Sequence, residues 1–329
     1  MTHSLYRATI KKAWHITKNH TYLWILGFFA AFLGSGGEYE FVVKQFNRFS
    51  SGEWSFDVGF ITSLGVGGGN FVTFIFNLFA RSKDNYILLG AITFIVLMLI
   101  WIVVSSQGAL IKAVADTDKP VRPSFINQIT KGFQSFWSIF GIIIFARFWA
   151  LFILIIIGLP IMALLVYFVE PIKAFFLVVF IIGIPILVIA SLITKYAIAF
   201  LMIEKKKYRE SLILGLKLFA DNWLVSLEMA FVLFIVNVVA GAAIVLLILF
   251  VAVPFIILGG ILTQMAYVLA TQIVLGAGIA VLFIFLIFFG SALVTFQYAS
   301  WTQLFLVISK NRYLSKIMRV IVGWKEKYQ

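Results

Sequence analysis

The sequence predicts an all-α protein, a polytopic transmembrane helical bundle of about six spans flanked by cytoplasmic interfacial amphipathic helices. Three observations carry this. Of 329 residues, 63% are hydrophobic and 12% charged, against about 45–50% and 25% in soluble domains. Several apolar runs exceed the roughly 20 residues that cross a hydrocarbon core of about 30 Å. "LLGAITFIVLMLIWIVV" (88–104) and "FFLVVFIIGIPILVIASLI" (175–193) are apolar on every face, unlike the one-sided helices of a soluble surface. Finally, basic residues bracket the runs with a consistent bias.

The spans fall at 19–34, 86–111, 138–168, 174–200, 224–252 and 280–308. The first follows a long amphipathic segment, so it reads as an uncleaved span and not as a signal-peptide core. Segments 1–20, 112–131, 204–222 and 310–329 hold 19 of the 26 Lys and Arg, which places them in the cytoplasm with both termini. The outside segments hold Lys44, Arg48, Arg81, Lys83 and Lys173. Between 224 and 309 the only charge is Glu228. Two long helices with an apolar outer connection are preferred there, and four spans (eight in all) stay open, because Pro254, Gly259–Gly260 and "GAG" (276–278) are the only breaks. The outer loop 35–85 combines an amphipathic helix (Tyr39, Val42, Val43, Phe46 and Phe49 on one face), a "GVGGGN" break and a short interfacial helix bearing Thr73 and Asn77.

The chain writes one basic helix twice. "YRATIKKAWHITKNHTYLW" (6–24) aligns with "YRESLILGLKLFADNW" (208–223), pairing Tyr6 with Tyr208, Arg7 with Arg209, Thr9 with Ser211 and Ile10 with Leu212. A weaker third copy is "SFINQITKGFQSFWSIF" (124–140). Apolar positions at helical spacing suit the acyl boundary, and basic side chains suit headgroups. Trp14, Trp24, Trp137 and Trp223 match an interfacial aromatic belt. The chain is thus expected to hold three units within one membrane domain, 1–111, 122–203 and 206–309, followed by a basic tail, 310–329. Helices 5–18 and 208–220 should lie near the inner membrane plane, outside the bundle core. Their apolar faces should be Leu5, Ile10, Trp14 and Ile16, and Leu212, Leu216 and Phe219. Arg7, Lys11, Lys12, Lys205, Lys206, Lys207 and Arg209 should face anionic headgroups.

"AWHITKNHTYLWILGFFAAFLGSGG", taken with "YRESLILGLKLFADNW", resembles a group of bacterial multi-pass membrane proteins. The group includes the membrane domain that precedes the catalytic domain of some glycerophosphoryl diester phosphodiesterases. The resemblance covers most of the chain as a pattern and implies a bacterial inner-membrane location. The phosphodiesterase domain has no counterpart before Gln329, so no activity and no functional residue carries over.

Residues that could carry chemistry are few. There are no cysteines. His15 and His20 are five apart, off the i, i+4 spacing of a helical metal pair, and with His3 they read as interfacial. "GVGGGN" lacks the Gly-Lys-Ser/Thr of a phosphate loop. No catalytic, metal-binding or cofactor-binding set is expected. Three ionisable residues enter spans, Arg147, Lys195 and Glu228; intramembrane charges usually pair, so Glu228 is expected to meet Lys195 or Arg147. Ser291, Thr295, Tyr298 and Thr302 form one polar stripe, suited to inter-helix hydrogen bonds or to a lined pathway. Pro160, Pro185 and Pro254 are expected kinks, the first two able to open an outer cavity.

The function expected from these features is a non-enzymatic integral inner-membrane protein with a scaffold, assembly or lipid-interacting role. Its partners would be membrane lipids, with a homo-oligomer or membrane-protein partners in addition, and no nucleic acid. A transporter or permease component for a small molecule or lipid is the alternative. An intramembrane enzyme is the weakest reading, for want of a paired acid and base.

Overall fold

The computed structural model describes residues 5–32, 86–117 and 124–310. The expectations for loop 35–85, for His3 and for the tail beyond Lys310 lie outside them. Among the described residues there are ten α-helices and no strand. They are α1 (Leu5–Asn19), α2 (Leu23–Ala31), α3 (Tyr86–Asp116), α4 (Phe125–Gln134), α5 (Phe136–Leu165), α6 (Pro171–Val178), α7 (Ile184–Ile203), α8 (Tyr208–Asp221), α9 (Trp223–Gln264) and α10 (Val268–Ile308). Five helical stretches are long and apolar enough to cross a membrane. The chain is an all-α integral membrane protein.

Boundaries shift from expectation for local reasons. The first predicted span, described to Phe32, contains a helix of only nine residues, α2. It follows α1 through a turn that Trp24 fixes by donating from Nε1 to the Thr17 carbonyl at 3.0 Å. Pro171 opens α6, where its missing N–H costs nothing. A π-helical turn, Val179–Gly183, separates α6 from α7. Pro185 follows at once near the start of α7, and the widened turn absorbs the N–H that proline cannot supply. Two residues before Pro160, Gly158 brings α5 so near α6 that a Cβ there would lie 3.0 Å from Val178.

The expected outer connection between 252 and 280 is helical instead. α9 and α10 run 42 and 41 residues and reverse at Met265–Tyr267. Gly259 and Gly278 are packing points rather than breaks: a Cβ would meet Leu275 at 2.9 Å and Phe255 at 2.7 Å respectively. The turn itself needs a left-handed residue, which Ala266 provides at φ 63°. The Tyr267 N–H then caps the Leu262 carbonyl at 3.0 Å, the long bond of a Schellman ending.

Burial divides every long helix in two. In α3 every residue from Val103 to Asp116 is buried, while those from Tyr86 to Ile102 are exposed or half-exposed. α10 repeats the pattern, with Val294–Phe305 buried and most of its first half exposed. The packed end is the one from which the basic segments emerge. There Leu23, Leu110, Ile139, Met229, Leu304 and Phe305 form one core. Towards the far end, Ala150, Val179 and Leu187 form a separate small cluster.

The short helices close this core in a circuit. α4 packs on α3, α8 on α7, and α1 on α10, so each rests on the second long helix of the hairpin before it, the first copy resting on the last. Inside, α3 packs against both α7 and α10. Thr9, Gln128 and Ser211 are buried at one register position, and Ala13, Gly132 and Gly215 one turn later. Small residues let backbones approach. A Cβ on Gly215 would lie 2.8 Å from the Ala197 nitrogen, and one on Gly132 2.5 Å from the Ser105 carbonyl oxygen.

This corrects the expected position outside the bundle core, and with it the placing of Ile16 and Phe219 on a lipid-facing side. α1 and α8 belong to the core through Tyr6, Ala13, Ile16 and Phe219, whereas Trp14 (61% exposed) and Leu216 (55%) turn outward. Leucine and tryptophan are too bulky for a seam set by backbone contact. Of the basic residues, Arg7, Lys11, Lys12, Lys205, Lys207 and Arg209 are exposed and Lys206 is half-exposed.

Gly215→Leu is expected to destabilise the protein by about 1–3 kcal/mol or more, since the overpacked site abuts backbone. Gly241→Leu, with open space around it, should stay within about 0.5 kcal/mol of the parent. Thermal loss of monodisperse protein in detergent compares the two; equal effects would contradict the seam.

Candidate functional site

The polar residues of the packed end gather where α3, α7 and α10 meet. A small cavity there, about 10 Å³, is lined by Ile111, Lys195, Tyr196, Ala199, Tyr298, Trp301 and Thr302. That is roughly the space one water molecule needs. Lys195 holds its ammonium 5.2 Å from the centre of the Trp301 ring, a cation–π distance. Tyr196 stands edge-on to the same ring at 6.3 Å.

Hydrogen bonds tie this junction to its surroundings. Ser226 gives its one hydroxyl proton to the Asn222 carbonyl at 2.9 Å. The Tyr196 hydroxyl is therefore the donor to Ser226 Oγ at 2.8 Å. Gln297 donates from Nε2 to Asn237 Oδ1 at 2.6 Å, and Asn237 donates onward to the Leu233 carbonyl at 2.8 Å. At the end of α3, Lys112 and Asp116 face each other at 3.6 Å, exposed by only 6% and 3%. Among the described residues, Ser105 Oγ, Gln128 Oε1, Gln297 Oε1, Ser300 Oγ and Gln303 Nε2 are buried without a hydrogen-bond partner. Each such atom costs about 1–3 kcal/mol if left so, so the junction has polar capacity beyond what its own side chains satisfy.

The expected charged residues enter this region at similar depth. The Tyr196–Ser226 bond sets α7 and α9 in register, which brings Lys195 and Glu228 level. Glu228 accepts a hydrogen bond from the Tyr6 hydroxyl, so a residue of α1 reaches the acidic group of α9. Arg147 is half-buried on α5. The stripe of α10 divides into two roles. Thr295 Oγ1 donates to the Ser291 carbonyl at 2.8 Å and reaches the Leu23 carbonyl of α2 at 3.3 Å, and Ser291 bonds back to Ile287 at 2.6 Å. Tyr298 and Thr302 instead line the cavity.

Tyr6, Trp301 and the Gln297–Asn237 pair were not singled out for these contacts from sequence. Tyr6 carried a signal, as the first residue of both copies of the basic helix, but its partner is 222 positions away. His15 bonds Asn19 through a ring nitrogen at 2.8 Å, and the His20 ring meets Tyr22 at 5.7 Å.

Beside the site, Lys206 and Glu210 pair at 2.8 Å. Their hydrogen bond holds the Glu210 carboxyl below the usual carboxylate range and pushes Lys206 up. The Glu210 contribution is present above its ordinary value and fades as pH falls through the lowered one. The Lys206 contribution is present below its ordinary value and fades as pH rises through the raised one. The pair therefore persists across the neutral range.

No family model, curated protein or solved structure matches the chain.

Tyr6→Phe should cost about 1.5–3 kcal/mol, the range for hydrogen bonds to charged groups. Tyr6→Phe combined with Glu228→Gln should cost less than the sum of the singles, because the two residues act as one contact. Unfolding measured in detergent for the three variants checks this; additive costs would show that the contact contributes nothing.

Proposed function

We propose that the chain is a non-enzymatic scaffold or assembly protein of a bacterial inner membrane, acting through its contact with lipid. It is built from three units of interfacial helix plus hairpin, with both termini cytoplasmic. One observation supports this above the rest: the outward faces of the short helices. α1 exposes Arg7, Lys11 and Lys12 with Trp14, and α8 exposes Lys207 and Arg209 with Ile213 and Leu216. Apolar rings and stems can enter the acyl boundary while the cations reach anionic headgroups. The inner seam fixes each helix to the core, so the outer face is presented in one orientation. A cavity of about 10 Å³ at the centre favours a packed scaffold over a conduit.

Native mass spectrometry on protein reconstituted with phosphatidylglycerol and phosphatidylethanolamine tests the lipid role. Bound phosphatidylglycerol is expected on the parent. It should be largely lost in the Lys11→Glu, Lys12→Glu, Arg209→Glu variant; unchanged retention would end this reading. The orientation has its own test, made simple by the absence of cysteine. In intact cells, an impermeant maleimide should label Lys173→Cys but not Lys207→Cys. The reverse pattern would invert the topology.

The cavity supports a second reading, a transporter or permease component for a small molecule or lipid, because Lys195, Tyr298 and Thr302 converge there. Under that reading, the mass spectra show a stoichiometric small-molecule adduct that Lys195→Ala abolishes.

A further inference from the structure

The α5–α7 hairpin carries its own ruler for the bilayer. Arg147 lies near the packed end of α5, and twenty residues later Tyr167 and Phe168 stand 86% and 81% exposed. Glu170 and Lys173, an exposed ion pair at 3.0 Å, cap the turn. On the return arm, Lys195 is 22 residues beyond Lys173. At about 1.5 Å per residue these arms are about 30 and 33 Å long, the thickness of one hydrocarbon core. Charged and interfacial residues thus bracket one bilayer.

The α9–α10 hairpin does not fit that ruler. The Tyr196–Ser226 bond of 2.8 Å places Glu228 near the level of Lys195. From Glu228 to Gln264 is 36 residues, about 54 Å, so the hairpin overreaches its neighbour by about 24 Å. No charge occurs from Met229 to Ser309. Exposed apolar side chains are not confined to one face: Leu246, Ile256 and Leu258 lie on different sides of α9, and Val268, Ile273 and Phe285 on different sides of α10, all of them exposed. A docking partner protein would cover one face and leave the others polar, whereas a helix apolar all round belongs in protein core or lipid.

We propose that the excess length, residues 249–283, remains in the acyl chains of the same bilayer and leans across the far leaflet instead of projecting into water. A straight hairpin would need a tilt of about 55° to stay within the slab, beyond the usual range of about 0–40°. Bending is therefore required. Pro254 lies six residues past the level where the hairpin outruns the slab, and it is the position where α9 bends at least cost. The surface has the same uncharged apolar chemistry as the exposed halves of α3 and α5, so its occupant is phospholipid acyl chain. This inference rests only on membrane integration, not on the scaffold reading.

Single-cysteine variants of the full chain test it, each labelled with a fluorophore in vesicles of phosphatidylglycerol and phosphatidylethanolamine. Ile95→Cys, exposed on the apolar half of α3, serves as the lipid-facing control, and Ile257→Cys and Val268→Cys report the tip. Acyl-brominated lipids are expected to quench both tip labels as fully as the control, with no loss to aqueous iodide. Quenching by iodide at the tip overturns the proposal in favour of a hairpin in water. Protection from both quenchers overturns it in favour of a protein cover, a second copy included.

Discussion

Helix association in lipid gains nothing from hiding apolar surface, because acyl chains are as apolar as leucine; close packing and hydrogen bonds must hold the bundle together. In this protein that requirement falls on a few backbone approaches, Gly215 on Ala197, Gly132 on Ser105 and Gly27 on Thr295. At Gly27 a Cβ would lie 2.2 Å from the Thr295 hydroxyl. Those seams fasten α8 to α7, α4 to α3 and α2 to α10, all along the half of their length where α3 also packs against α7 and α10. The other half, with nothing to draw it in, stays open to its surroundings.

The same drawing-in decides where polar groups go. Tertiary polar bonds join hairpins to one another and to a short helix, Tyr196 to Ser226, Tyr6 to Glu228 and Thr295 to the Leu23 carbonyl, and Gln297 to Asn237 ties the two arms of the last hairpin. Apolar contact serves in the far part of the α5–α7 hairpin, at Ala150, Val179 and Leu187. Burial without water makes each of these bonds consequential, since losing one partner strands the other. The junction is thus specific in its register, while the hairpin arms are interchangeable in their chemistry.

Much of this was legible in the chain. Composition and run length gave helix type and membrane placement, and the Tyr-Arg-led copies marked α1 and α8 with the polar and small positions that pack. What escaped depends on distance or degeneracy. Ile16 and Phe219 read as membrane-facing, together with Trp14 and Leu216, because apolar periodicity cannot say whether a face meets protein or lipid. The continuation of α9 and α10 through 252–280 escaped because glycine reads alike as a break and as a contact point. Tyr6 and Glu228 could not be paired by spacing, since the link depends on α1 returning to the last hairpin.

The three central helices are parallel, and this has an electrostatic consequence. α3, α7 and α10 all end within a few residues of the level set by Ile111, Ala199 and Thr302. Each carboxyl end there carries a negative pole of about half an elementary charge, and α2, α5 and α9, which begin at the same end, set positive poles around them. Asp116 deepens this potential, and Lys112 within the same turn offsets it. After α7, Glu204 at the C-cap is followed by Lys205, Lys206 and Lys207, and Lys310 follows α10. The lysines that mark the ends of the spans are thus also local counter-charges to the carbonyl ends of the helices they follow, a charge set by the backbone and not by the side chains there.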